Sequence, residues 1–153
     1  MKRAEVAKDL FNKGYACCQA IALAFNDLTN IKYEDMEKMT LGLGGGVSRL
    51  RLTCGVVTGM AIIISSIFSN CENSQENKEY VYSLMQELGD RFLKQEGSYN
   101  CKELLEKAKL EVEIGGKPEE RTNEYYQKRP CGKLVYNAAI ILEEYLTEKG
   151  IKC

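Results

Sequence analysis

The chain has 153 residues, 44% of them hydrophobic and 28% charged, with 21 Lys and Arg against 22 Asp and Glu. That size and balance suit a single globular domain over residues 1–153 with its own apolar core, and they exclude a disordered, collagen-like or low-complexity chain. A net charge of −1 gives no basic field for phosphates, so no nucleic-acid partner is expected. The absence of His removes the Ser-His-Asp and Cys-His catalytic arrangements and every mixed cysteine–histidine zinc site.

Taken in chain order, apolar residues recur at helical spacing over Ala4–Asn12. Gly14 interrupts the pattern, which resumes from Tyr15 to Leu28 and closes at Thr29-Asn30. Tyr33–Met39 predicts a short helix with Glu34 and Asp35 in its first turn. A glycine-rich turn, Gly42 to Gly46, comes next. From Leu52 to Cys71 no residue is charged, which raises the question of a membrane span. Eight of those twenty residues are Gly, Ser, Thr or Asn, so a buried central helix is the expectation and no membrane is expected. Gly55 and Gly59, four apart, would let a neighbouring helix approach closely.

Ser74–Leu93 is amphipathic and Asn100–Lys109 gives a shorter helix. Leu110, Val112 and Ile114 alternate with Glu111 and Glu113, the pattern of a short strand. Gly115–Pro118 is a turn, and Glu119–Arg129 is polar enough for a surface loop or short helix. Pro130 opens a last helix, Cys131–Lys149, closed by Gly150. The fold class expected is an all-α helical bundle, with a central apolar helix preceded by a Gly-rich turn.

Seven cysteines, an odd number, argue against a purely structural disulfide framework. Met1–Glu5 lacks the apolar run of a secretory signal, so a cytoplasmic location with reduced thiols is expected. Four cysteines, Cys17, Cys54, Cys101 and Cys131, fall in or near the first turn of four predicted helices. Free backbone N–H groups and the helix dipole favour thiolate there, so lowered thiol pKa values are expected. No C-x-x-C spacing exists, so any pairing must come from the fold. Cys18 beside Cys17 reads as packing, and Cys71 and Cys153 as incidental. Arg49 and Arg51 precede Cys54, and two readings stay open for them: pairing with a thiolate or an anionic group on a substrate, or simple solvation. The Gly44–Gly46 run does not fit a phosphate loop, because no strand precedes it and no G-K-[ST] follows.

These segments resemble a bacterial and archaeal family named after the pattern C_GCAxxG_C_C and described as redox-active. The resemblance is carried by Gly14-Tyr15-Ala16-Cys17-Cys18-Gln19-Ala20, by Gly44-Gly45-Gly46-Val47-Ser48-Arg49 followed by Thr53-Cys54-Gly55-Val56-Val57-Thr58-Gly59, by Asn100-Cys101-Lys102-Glu103-Leu104, and by Cys131 with Val135, Ala138 and Ala139. Val56 departs from the family's alanine. The resemblance implies that Cys17, Cys54, Cys101 and Cys131 are the functional cysteines, with Gly55, Gly59, Arg49 and Arg51 in support.

Three functions stay open at this point. The first is thiol–disulfide oxidoreductase chemistry, with Cys54 as attacking thiol, Cys101 or Cys131 resolving, and a redox partner protein or small oxidant as the other reactant. The second is a metal-binding or iron–sulfur protein in which the same four cysteines hold zinc or a cluster. The third is a non-enzymatic helical adaptor with passive thiols. A homodimer is compatible with each.

Overall fold

The computed structural model describes residues 2–153, and its regular structure is helical throughout. The elements are α1 (Lys2–Asn12), α2 (Cys17–Ala24), α3 (Tyr33–Leu41), α4 (Gly55–Phe68), α5 (Gln75–Glu96), α6 (Cys101–Lys107), α7 (Asn123–Lys128) and α8 (Cys131–Glu148). A 3₁₀ turn, Asn26–Leu28, follows α2, and a single distorted turn at Gly44–Val47 precedes α4.

Local chemistry sets the boundaries. The helix expected over Tyr15–Leu28 stops at Ala24. Beyond it the Asn26 amide donates to the Ile31 carbonyl at 3.0 Å and the Thr29 hydroxyl to the Asn26 carbonyl at 2.8 Å, side-chain bonds that compete with helix continuation. The apolar segment becomes helical only at Gly55, because Thr53 is held in an antiparallel bridge to Asn100 and Cys54 takes extended backbone as the N-cap. Ser74 caps α5 by accepting the Asn77 N–H at 3.1 Å, and Gly97 ends it at φ +91°.

The strand expected over Leu110–Ile114 is absent, and no strand longer than the isolated bridge occurs among the described residues. The segment runs instead as an arm beside Arg49–Arg51. The Arg51 Nε donates to the Glu113 carbonyl at 2.9 Å, and Arg49 and Gly115 exchange Nε–H and N–H bonds with each other's carbonyls at 2.8 and 2.9 Å. The alternating pattern was real, but its partner is a turn whose side chains, as much as its backbone, supply the bonds.

The most enclosed helix is the short α2, with every residue from Cys18 to Ala24 buried. It touches α1, α3, α4 and α8, while α1 lies along α8 and α5 covers α4 and α8. Ile21, Phe25, Met60, Ile63, Ile64, Leu88, Phe92, Leu142 and Tyr145 fill the space between them. Each such side chain contributes roughly 1.5–3 kcal/mol of burial free energy. α4 is half-buried along Ile62, Ile67 and Phe68, and among the described residues no helix is long and apolar enough to cross a membrane.

α4 approaches α2 through its glycines. A Cβ on Gly59 would lie 3.0 Å from Ile21 Cβ and 3.1 Å from the Cys18 carbonyl oxygen, neither of which can swing aside. Gly132, in the first turn of α8, has nothing nearer than the Phe11 ring at 3.7 Å. Alanine gains up to about 1 kcal/mol over glycine in a helix, whereas overpacking costs about 1–3 kcal/mol. Gly59→Ala should therefore lower the urea midpoint and Gly132→Ala should leave it unchanged or raise it; a midpoint raised by Gly59→Ala would refute the close packing of α2 on α4.

Candidate functional site

Each of the four cysteines stands at a helix start. Cys17 is the first residue of α2, Cys54 the N-cap of α4, Cys101 the first residue of α6 and Cys131 the first residue of α8. Asn100 caps α6 by accepting the Glu103 N–H at 3.0 Å. The four starts converge on one cavity of about 70 Å³, and all four cysteines line it. That is room for several water-sized groups.

Backbone bonds fix the convergence. The Cys54 N–H donates to the Tyr99 carbonyl at 2.7 Å and the Cys101 N–H to the Leu52 carbonyl at 2.6 Å, on either side of the Thr53–Asn100 bridge. Cys17 is brought in by the glycine contact of α2 with α4: its sulfur lies against Gly55, where a Cβ would collide with it. Gly46 presses on Cys101, and a Cβ there would sit 2.6 Å from the Cys101 Cβ.

The turn before α4 is left-handed. Gly45, Gly46, Val47, Ser48 and Arg49 have φ of +65°, +65°, +67°, +49° and +68°, and Arg51 has +60°. The usual polarity is inverted as a result: Arg49 and Arg51 are 7% and 6% exposed, whereas Leu50 and Leu52 are 51% and 52% exposed. Arg51 lines the chamber and donates from its guanidinium to the Cys101 sulfur at 3.7 Å. Arg49 bonds the arm instead, reaching the Glu113 carboxylate at 3.2 Å, and does not line the chamber. The sequence placed both arginines beside Cys54; the structure gives Arg51 to Cys101 and Arg49 to the arm.

The expectation of lowered thiol pKa values is overturned for Cys17, Cys54 and Cys131. Burial, and then the charge of Cys17, push Cys54 well above the ordinary thiol range. The same two causes push Cys131 up to about 12, and burial likewise raises Cys17 although the Gly45 and Cys18 N–H groups favour its thiolate. A helix dipole is worth about 0.3–1 kcal/mol, less than one pKa unit, while burial can shift a group by roughly 3–5 units. Cys54, the expected attacking thiol, is held protonated by its burial; at 6% and 8% exposed, Cys54 and Cys101 are equally buried.

Three side chains missed in the sequence complete the chamber: Arg121, Tyr125 and Arg129. Arg121 donates to the Phe11 and Tyr15 carbonyls at 3.0 and 3.1 Å and stacks over the Phe11 ring at 4.4 Å and the Tyr125 ring at 4.9 Å. Arg129 packs 5.1 Å from the Tyr125 ring and pairs with Glu119 at 2.7 Å. The readable signal was the close spacing of Arg and Tyr over 121–129, a cation–π pattern inside a stretch whose polarity suggested only surface. No Asp, Glu or His lines the chamber. Cys18 is buried away from it, and Cys71 and Cys153 are exposed. All seven cysteines are free thiols, and among the described residues no three His, Cys, Asp or Glu side chains are grouped so as to hold a metal ion.

A family model described as "Putative redox-active protein (C_GCAxxG_C_C)" matches residues 15–145, a span that contains all four chamber cysteines. The chain belongs to the C_GCAxxG_C_C family. It is also similar to an uncharacterised protein of Archaeoglobus fulgidus, 29% identical over 117 residues that cover 68% of this chain and 77% of the relative. No solved structure matches it.

The raised thiols give this C_GCAxxG_C_C protein an alkaline weakness. Ordinary thiols ionise near 9.0, so the unfolded chain releases its thiol protons before the folded one. Stability contributed by Cys131 is full below pH 9 and falls as the pH climbs toward 12, with a slope of about 1.4 kcal/mol per pH unit per thiol. Urea unfolding under reductant should show a shallower decline above pH 9 for Cys131→Ser than for the parent; equal slopes would show that this thiol is not held protonated by the fold.

Proposed function

We propose that the chamber carries reversible thiol–disulfide chemistry. The observation that supports this is the gathering of four cysteines, distant in sequence, into one cavity without a carboxylate or imidazole. The nucleophiles available there are sulfur and, less readily ionised, the Tyr125 hydroxyl, which burial raises to about 12.

Cys101 is the attacking residue in this reading, because among the described residues it is the chamber cysteine whose sulfur accepts a hydrogen bond from a cationic side chain, the Arg51 guanidinium at 3.7 Å. Cys17 is the resolving residue. It keeps some accessible surface, faces two backbone N–H groups, and among the cysteines it is the charge of Cys101 that most opposes its ionisation. The Cys101 thiolate attacks one sulfur of a substrate disulfide; that S–S bond breaks and one half leaves as a thiolate. Cys17 then attacks the Cys101 sulfur of the mixed disulfide, forming the protein disulfide and releasing the second half. The protein loses two electrons, the substrate gains them, and the two cysteine protons pass to the leaving thiolates or to water.

A second reading is favoured by the same gathering. Four soft donors beside Arg51, Arg121 and Arg129 suit a zinc ion or an iron–sulfur cluster by type. The thiols would have to close up first, since they are not grouped in ligating geometry. A bound cluster would supply one-electron transfer, with the arginines offsetting the negative charge of the thiolates.

Counting free thiols after mild oxidation and again after reduction separates the readings. The proposal expects one reversible pair, mapped by peptide mass to Cys17 and Cys101 and lost in Cys101→Ser. A count that never falls by a reversible pair defeats it, and stoichiometric metal retained through anaerobic purification supports the second reading.

A further inference from the structure

A second, larger cavity of about 690 Å³ adjoins the thiol chamber and shares Ala16, Gly45, Arg51, Arg121, Tyr125 and Arg129 with it. Its lining carries five cationic side chains, Lys38, Arg49, Arg51, Arg121 and Arg129, and a single carboxylate, Glu119. Glu119 is already paired with Arg129 at 2.7 Å, and Arg49 is paired with Glu113 at 3.2 Å. Lys38, Arg51 and Arg121 have no carboxylate within ion-pair distance among the described residues.

Arg51 is the informative one. It is 6% exposed, and its bonds go to a carbonyl and to the Cys101 sulfur. Withdrawing a guanidinium from water without a counter-anion costs several kcal/mol. The inverted turn nonetheless directs it inward, toward both cavities. Arg121, half-buried, is held by two carbonyls and aromatic faces, which fix its position without pairing its charge. Even where a Cys101 thiolate balances Arg51, Lys38 and Arg121 leave an excess of positive charge around the outer cavity, and an anionic group of the substrate is what would balance it.

The two volumes divide the work. The chamber admits only a few atoms, enough for a reacting sulfur, while the outer cavity has space for the body of a small molecule. We infer that the substrate is a low-molecular-weight disulfide bearing carboxylates, whose charged groups are held in the outer cavity by Lys38, Arg51 and Arg121 while its S–S bond meets Cys101. This rests on the thiol–disulfide reading above. The reaction balances as written there: one substrate S–S bond is reduced to two thiols, and two protein thiols become one disulfide.

The test uses the full chain with the exposed Cys71 and Cys153 replaced by serine, fully reduced. The probes are dithiobis-nitrobenzoate, which carries a carboxylate on each half, and neutral dithiodipyridine. Each rate is divided by that of the same probe with a simple free thiol in the same buffer. Electrostatic steering into a charged cleft raises rates by about 10-fold or more, so the normalised rate should favour the anionic probe about tenfold. That preference should collapse between about 0.01 M and about 1 M salt, as the screening length falls from about 30 Å to about 3 Å. Lys38→Glu, at an exposed position, should cut the anionic-to-neutral ratio severalfold. Equal normalised rates, or a ratio indifferent to salt and to Lys38→Glu, overturn the anionic substrate and leave the thiol–disulfide reading standing. Failure of both probes to oxidise a reversible pair overturns that reading itself.

Discussion

Two backbone hydrogen bonds, from the Cys54 N–H to the Tyr99 carbonyl and from the Cys101 N–H to the Leu52 carbonyl, tie the starts of α4 and α6 side by side. Residues 55–100, α4 and α5 among them, intervene, so these bonds close a long loop, and each sits at the cysteine itself. With that register set, the remaining geometry follows from contact. Gly46 leaves space for Cys101, Gly55 leaves space for the Cys17 sulfur, and α8 brings Cys131 against the same cavity. A slip of one residue in the Thr53–Asn100 bridge would turn one cysteine away from the other three.

Much of this was legible from residue order alone. The positions of the cysteines at helix starts follow from cap chemistry, with Asn100 and Pro130 each standing directly before a cysteine. The all-helical class follows from apolar spacing. The sign of the thiol shifts was not legible, because sequence reveals the dipole at a helix end but not how much protein surrounds the sulfur. Nor was the destination of the arginines. Arg49 and Arg51 lie within a few residues of Cys54, but positive φ through Gly45–Arg49 turns them toward the arm and toward Cys101. Arg121 and Arg129 escaped because their neighbours are polar, while their actual surroundings are the rings of Phe11 and Tyr125.

Burial and charge pull in opposite directions within the site. Burial, and then the neighbouring thiols, keep Cys17, Cys54 and Cys131 protonated, while Arg121 favours the loss of a proton at Cys17 and Arg129 and Arg121 at Cys131. Among the described residues, only Cys101 has a guanidinium hydrogen at its sulfur, so one cysteine is contacted differently from the other three. Chemically identical groups thereby sit in distinct surroundings, without any change in residue type.

The left-handed turn has a consequence of its own. Mirror-image helical backbone costs an L-residue roughly 1–2 kcal/mol, and only two of the five residues from Gly45 to Arg49 are glycine. Val47, Ser48 and Arg49 hold a conformation that an isolated peptide of this sequence would abandon. The turn is thus an imposed shape, dependent on the Gly115 and Glu113 backbone that grips it from far along the chain. Its chirality is a property of the assembled molecule, so the inward aim of the guanidiniums depends on contacts made more than sixty residues away in the chain.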